Sequence, residues 1–476
     1  MGTNGETSNP DQKKQECCIY KVHNGLRKAN PGAYTPMLVS IGPYHKKDSN
    51  LMAMQDCKTQ YKTTLLGQRD VKEDTCKSEL KKLKLLVRAR ECYADLIKLE
   101  DEDFVEMMML DGCFIIGFLR EINPNDSYNP GIINVDWMKS QICRDLMLLE
   151  NQLPYFVLDK LYKMTIRPDE QKRSSLWETV MLAFNFMLPK PRSLRFISDC
   201  QVSTDKIKHL LHLVHIFCRY PLGDEITANR VCEQTRQSEP GLPITPRRNL
   251  DQLRQPFLRE QSTEITENGT GVQVLNRMGS VVELREAGVT FKKIGEVYNF
   301  VDLTKRDESH PDDVSLFEIE FKGCGLMTVP SFKIEGSTES LFRNLIAYEQ
   351  HSSENNQKYF TDFTTLMDQL INSGKDVEFL RRNGIIVNLL GDDKTVSDLF
   401  NTLNEGVIES HESNYAYSRL RQKVNIHCAK KVNTFRALLM RDYLSTPCVA
   451  ASTFAAILLL ALAIIQTVLA FITLFE

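Results

Sequence analysis

The sequence predicts an α+β protein: a mainly α-helical soluble part with a small β-sheet, plus one C-terminal transmembrane helix. Three patterns carry that expectation. Apolar residues recur at three- and four-residue intervals over much of the chain, they alternate between Ser315 and Lys333, and the 28 residues from Cys448 to Phe475 carry no charge. The first pattern is that of a helix face and the second that of a strand. The third exceeds the roughly 20 apolar residues that cross a hydrocarbon core.

Taken in order, residues 1–18 are polar and read as a disordered N-terminus, and 19–220 form a mainly helical N-terminal part. Within it, Asp103 to Glu121 places Phe104, Met107, Met108, Phe114, Ile115 and Phe118 for burial on more than one side, which predicts a core helix. Met107, Met108 and Met109 then fill the core rather than line a groove. Asp136 to Tyr162 reads as helix, break, helix, because Pro154 disfavours helical geometry at Leu153. Lys206 to Arg219 is amphipathic through Ile207, Leu210, Leu211, Val214 and Phe217.

Residues 221–275, rich in Pro, Gln, Arg and Thr, read as a polar loop or linker. The C-terminal part, 276–445, resumes with Val281 to Phe291. Two or three strands over Ser315 to Lys333 then supply the small sheet. Ser337 is the expected N-cap of a helix through Tyr348. Phe363, Leu366, Met367, Leu370 and Ile371 mark the next, ended by Gly374, and Val377 to Arg382 ends at Gly384. Val396, Leu399, Phe400 and Leu403 form a last short face, and 448–475 is the transmembrane helix.

The start of the chain has no apolar core of the kind a secretory signal needs, so membrane insertion falls to the C-terminal helix. Its flank carries Arg419, Arg421, Lys423, Lys430, Lys431, Arg436 and Arg441 against Asp442. The positive-inside rule therefore predicts a cytosolic soluble part on a single-pass membrane protein. Two glycosylation triplets, starting at Asn125 and Asn268, favour the opposite side. The 13 cysteines include no CxxC, which fits reduced thiols, and a net charge of −3 gives no attraction to nucleic acid.

Candidate chemistry is sparse. His209, His212 and His215 share a helix face suited to zinc or copper, yet apolar residues lie opposite, so these rings are expected to face solvent or a neighbouring segment. Ser40 and His45 lack a nucleophile elbow and read as part of a turn at Gly42 and Pro43. Gly323 and Gly325 suit a hairpin better than a nucleotide loop. The carboxylate pairs Asp145 with Glu150 and Glu318 with Glu320 read as ordinary. Lys81, Lys82, Lys84, Arg88 and Arg90 with Leu80, Leu83, Leu86 and Val87 make a basic amphipathic segment, read as a solvated face. No catalytic, cofactor-binding or metal residue is assigned.

Several blocks carry a resemblance. YTPMLVSIGPYH at Tyr34 to His45, MMLDGCFII at Met108 to Ile116, DLMLLENQLPYFVL at Asp145 to Leu158 and ELREAGVTF at Glu283 to Phe291 come first. They are followed by VPSFKIEGSTESLFRNLIAYEQ at Val329 to Gln350 and LMDQLINSGKDVEFLRRNGII at Leu366 to Ile386. Together with the terminal helix, these blocks resemble, in order, the plant family called domain of unknown function 247. Thr446-Pro447-Cys448 departs from that family's usual entry into the anchor. The resemblance implies an uncharacterised plant membrane protein without residues of known catalytic role. It also implies kinship with grass proteins linked to self-incompatibility as pollen-side determinants. The expectation is a non-enzymatic recognition or signalling module at the plasma membrane, bound to lipid through its C-terminal helix and to an unknown protein partner. A membrane-bound enzyme of unknown reaction and a lipid-binding scaffold are the alternatives.

Overall fold

The structure, a computed structural model, describes residues 17–67, 71–123, 126, 128, 130–166, 175–192, 197, 202–219, 277–295, 314–352, 357–430 and 447–475. The expected polar loop at 221–275, the triplets at Asn125 and Asn268, and Lys431, Arg436, Arg441 and Asp442 lie outside these residues.

The first half is built on one long helix. Helices α1 (Met54–Gly67), α2 (Glu73–Leu80) and α3 (Leu83–Glu91) lead to α4 (Asp101–Ile122), whose first turn carries Asp101, Glu102 and Asp103 at the positive end of the dipole. Phe104, Met107, Met108, Met109, Phe114, Ile115 and Phe118 are all buried, as their spacing predicts. Helices α5 (Asp136–Leu146), α6 (Tyr155–Thr165), α7 (Leu176–Phe184) and α8 (Leu210–Arg219) follow. Around α4 pack α1, α2, α6 and α7. The approach of α6 is close enough that a Cβ on Gly112 would stand 2.4 Å from Leu161 Cδ1.

The basic segment divides rather than forming one helix, because α2 ends at Leu80 and α3 starts at Leu83. Its cations are largely paired: Lys82 with Glu79 at 2.7 Å, Arg90 with Asp101 at 2.7 Å, and Lys81 with Glu102. The Arg88 guanidinium lies 3.9 Å from the centre of the Phe156 ring.

The second half opens with α9 (Val281–Glu286), held by a reciprocal capping box between Ser280 and Glu283. Strand β1 (Thr290–Ile294) runs parallel to β3 (Leu326–Pro330), which is antiparallel to β2 (Glu320–Lys322). Residues 323–325 close the expected hairpin. A second sheet, not anticipated, pairs β4 (Phe332–Ile334) in parallel with β5 (Ile386–Asn388). The alternation over 315–333 marks β2, β3 and the start of β4 but neither β1 nor β5, so the single small sheet resolves into two.

Five helices fill out this half: α10 (Thr338–His351), α11 (Tyr359–Leu370), α12 (Gly374–Arg382), α13 (Asp393–Leu403) and α14 (Ser418–Cys428), with α12 packed on β5 and α14 on β2. Ser337 stands at the N-cap position of α10 as expected, but its hydroxyl donates to Glu335 instead of capping the helix, and one boundary changes. Gly374 begins α12 instead of ending α11, because Ser373 and Asp376 form a capping box there. Buried residues from Cys18 to Val424 make one hydrophobic core.

Helix α15 (Pro447–Phe475) differs from all of these. Its stretch Ala451–Leu469 has a mean hydropathy of 2.3 and none of it is buried against the rest of the chain. It is long and apolar enough to cross a membrane.

Candidate functional site

Hydrogen bonds spanning more than 100 residues converge on the extended segment that follows Pro31–Tyr34. The Asp145 carboxylate, on α5, accepts the backbone N–H groups of Met37, Leu38 and Val39 at 2.7 to 3.1 Å, while Arg144 and Gln141 donate to its other side. Asn151 continues the ladder, accepting from Ile41 N–H at 2.6 Å and donating to the carbonyls of Val39 and Asp145. Asp111 projects from α4 to accept from Gly42 N–H at 2.9 Å and from the Lys58 ammonium at 2.6 Å. Lys58 also donates to the Ser40 carbonyl. Every N–H so held belongs to backbone that the strands do not pair, and a buried amide left open would cost about 1–3 kcal/mol.

Gly42 sits at φ +71°, and a Cβ there would come within 2.7 Å of the Gln152 carbonyl oxygen. Only glycine fits the turn that brings this segment against residues 145–152. Gln152 in turn donates to the carbonyls of Leu146 and Leu148 and accepts from Leu211 N–H, which ties α8 to the same clamp.

Glu150 gathers Val22 N–H, Arg27 and His45 Nε2, the last at 3.2 Å. Burial by itself would push its carboxyl up, but the hydrogen bonds from His45 and Val22 and the Arg27 charge outweigh burial and hold it below the usual range. The carboxylates Asp145 and Glu150 are therefore not ordinary surface groups, contrary to their sequence reading. His45 faces Glu150, and Ser40, 3 % exposed, engages Lys58 through its backbone carbonyl. The structure thus gives each of Ser40 and His45 its own partner in the clamp.

Of the two expected settings for the three histidines, solvent or a neighbouring segment, the structure shows the second. His209, His212 and His215 are buried, at 0, 8 and 0 % exposure, because α10 covers their face with Tyr348. Each ring centroid stands 5.3 Å from that of Tyr348. His209 Nδ1 accepts from His212 N–H and His212 Nδ1 from Lys208 N–H, so both rings carry their proton on Nε2 when neutral. His215 Nε2 meets Glu349 Oε1 at 2.7 Å. Glu349 also accepts the amides of Phe360 and Thr361, both at 2.9 Å, and so caps the N-terminus of α11. Among the described residues, no group of three or more His, Cys, Asp or Glu is placed to hold a metal ion.

Of the remaining candidates, Glu318 is half-buried with its carboxyl pushed up by burial, and Glu320 is exposed in β2. Gly323 and Gly325 make the hairpin turn. Lys58, Asp111 and Glu349 escaped the sequence reading. An aspartate within the apolar Met107–Phe118 run was the available signal for Asp111, since a buried charge there demands a cation.

Fold and site together define a class: a helical α+β protein whose buried polar network joins distant segments into one core, with an unburied apolar helix at the C-terminal side. The chain belongs to the plant family DUF247, plant protein of unknown function, whose model matches residues 19–462. It is similar to UPF0481 protein At3g47200 of Arabidopsis thaliana, 26 % identical over 97 % of this chain and 87 % of that protein. It is also similar to Putative UPF0481 protein At3g02645 of the same plant, 24 % identical over 84 % of this chain and 80 % of that protein. No solved structure matches the chain.

Proposed function

We propose that this protein is a single-pass membrane protein that displays its folded body for recognition of another protein and is not an enzyme. The observation that carries the membrane reading is the Ala451–Leu469 helix, which is uncharged, predominantly apolar and finds no cover on the body. In water about 19 such residues would expose a large apolar surface, whereas a bilayer removes that cost. The sequence candidates for catalysis, His45, Asp145, Glu150 and the three histidines, are engaged in holding the core, which supports a binding rather than a catalytic role.

The soluble body is proposed to be cytosolic at the plasma membrane, on the strength of the basic flank that includes Arg419, Arg421, Lys423 and Lys430. The resemblance to grass proteins linked to self-incompatibility supports a recognition partner as the ligand.

Protease protection of sealed vesicles, with a tag at each end of the full chain, tests this. The expected result is a carbonate-resistant protein whose N-terminal tag is cleaved from the cytosolic face. Release of the protein by carbonate refutes the anchor, and a shielded N-terminal tag reverses the orientation.

A further inference from the structure

We infer that Cys18 and Cys92 form a modification site: a thiol pair that a low-molecular-weight disulfide converts into an internal disulfide, fastening the N-terminal segment to the end of α3. The backbone sets up the pairing. Cys18 N–H and Ile19 N–H both donate to the Cys92 carbonyl at 2.9 Å, and Ala94 N–H donates to the Ile19 carbonyl at 3.0 Å. Ile19 and Tyr93 thereby form a parallel bridge, and Cys18 and Cys92 each stand one residue before it, side by side.

Neighbouring strands lie about 4.8 Å apart, inside the roughly 4.4–6.8 Å range of Cα separations that a disulfide accepts. Both residues are buried, at 3 and 1 % exposure, and the Cys92 thiol donates to the Arg88 carbonyl. Contact with Cys18 lowers the Cys92 thiol against the opposing effect of burial, with the Arg88 charge lowering it further. The Cys18 thiol is raised by the same contact and by burial. Cys92 is the nucleophile and Cys18 the resolving thiol.

The exchange balances without another reactant. The Cys92 thiolate attacks one sulfur of the small disulfide, forming a mixed disulfide and expelling one thiolate. Cys18 then attacks the Cys92 sulfur, the protein disulfide closes, and the second small thiolate leaves. The two protein thiols lose two electrons to the reagent, and their two protons pass to the departing thiolates. Access requires separating residues 17–20 from 92–94, which means releasing the three backbone bonds above and the Tyr44 hydroxyl's bond to the Ile19 carbonyl.

Closure fixes the stretch that leads to Val22 and Arg27, both held by Glu150, so the staple braces one side of the clamp. Among the described cysteines, the backbone bridge sets Cys18 beside Cys92, although Cys17 is the immediate neighbour of Cys18.

The test uses the full chain in detergent, equilibrated in glutathione disulfide and glutathione, quenched in acid, alkylated and mapped without reduction. The expected product is a Cys18–Cys92 cross-linked peptide, with two of the 13 thiols lost to alkylation and trypsin cleavage at Lys21 slowed. Cross-links of Cys17, a scrambled set of pairs, or an equal yield of the pair in urea would each overturn the proposal, as would unchanged cleavage at Lys21. Because the mapping is done on the unsubstituted chain, it does not depend on whether Cys92→Ser folds.

Discussion

His215 and Glu349 share a 2.7 Å hydrogen bond in a place where neither side chain reaches solvent. The pair links α8 to the last turn of α10, and Glu349 also accepts from the first turn of α11. Removing His215 leaves a buried carboxylate with neutral donors alone. His215→Ala is expected to cost about 3 kcal/mol or more in urea unfolding, and Glu349→Gln less, because the amide oxygen still accepts from Phe360 or Thr361. A loss in His215→Ala no larger than that of an exposed-site substitution would contradict a stabilising role for the pair.

The same cluster makes stability fall on acidification. Burial, with the Lys208 charge second, pushes His209 down to about 3. Burial also lowers His212 well below its ordinary value, and lowers His215 against the pull of Glu349. A histidine held neutral in the fold stabilises it fully above the unfolded value near 6.5, and the contribution is lost as pH falls from there toward the folded value. Asp362 acts in the opposite sense. Burial raises its carboxyl to about 6 despite donors from Ser410 and Ala416, so its contribution grows as pH falls from about 6 toward 4. The urea midpoint is expected to drop between about pH 7 and pH 4, and to drop more steeply in Asp362→Asn.

Gly42 and Gly323 offer a matched comparison. At Gly42 an alanine meets both a positive φ and the Gln152 carbonyl, whereas at Gly323 no heavy atom lies within 4 Å of an added Cβ. Gly42→Ala is expected to destabilise by about 3 kcal/mol and Gly323→Ala by under about 1 kcal/mol, read from thermal or urea unfolding. Equal losses would mean that neither the positive φ nor the Gln152 carbonyl restricts Gly42 to glycine.

Asp145 serves three consecutive amides at once. Asp145→Ala is expected to lose about 3 kcal/mol or more, and Asp145→Asn about half as much, since one acceptor oxygen remains. Hydrogen exchange at Met37, Leu38 and Val39 provides the local readout. Those amides should exchange faster in Asp145→Ala even under conditions that keep the rest of the core folded.

Local signals are legible where the physics is local. The apolar helix at 448–475, the core helix around Phe104 to Phe118, the break before Tyr155, the hairpin at 323–325 and the stop at Gly384 all follow from composition, proline geometry or spacing within one element. Capping is less legible: Ser337 and Gly374 match cap residue types, but their side-chain and backbone partners are set by Glu335 and by Ser373 with Asp376.

Polar side chains mislead for a related reason. Spacing places His209, His212 and His215 on one face but cannot say that α10, more than 120 residues later, covers it. It likewise shows Asp145 and Glu150 as unremarkable acids, because the amides they hold lie more than 100 residues earlier. The sequence by itself determined several of the helices, the strands alternating over 315–333 and an apolar segment of membrane-spanning length, since periodicity and hydropathy are properties of neighbouring residues. Only the tertiary structure decided which polar groups enter the core, because a buried charge is tolerated only where distant backbone and side chains converge to satisfy it.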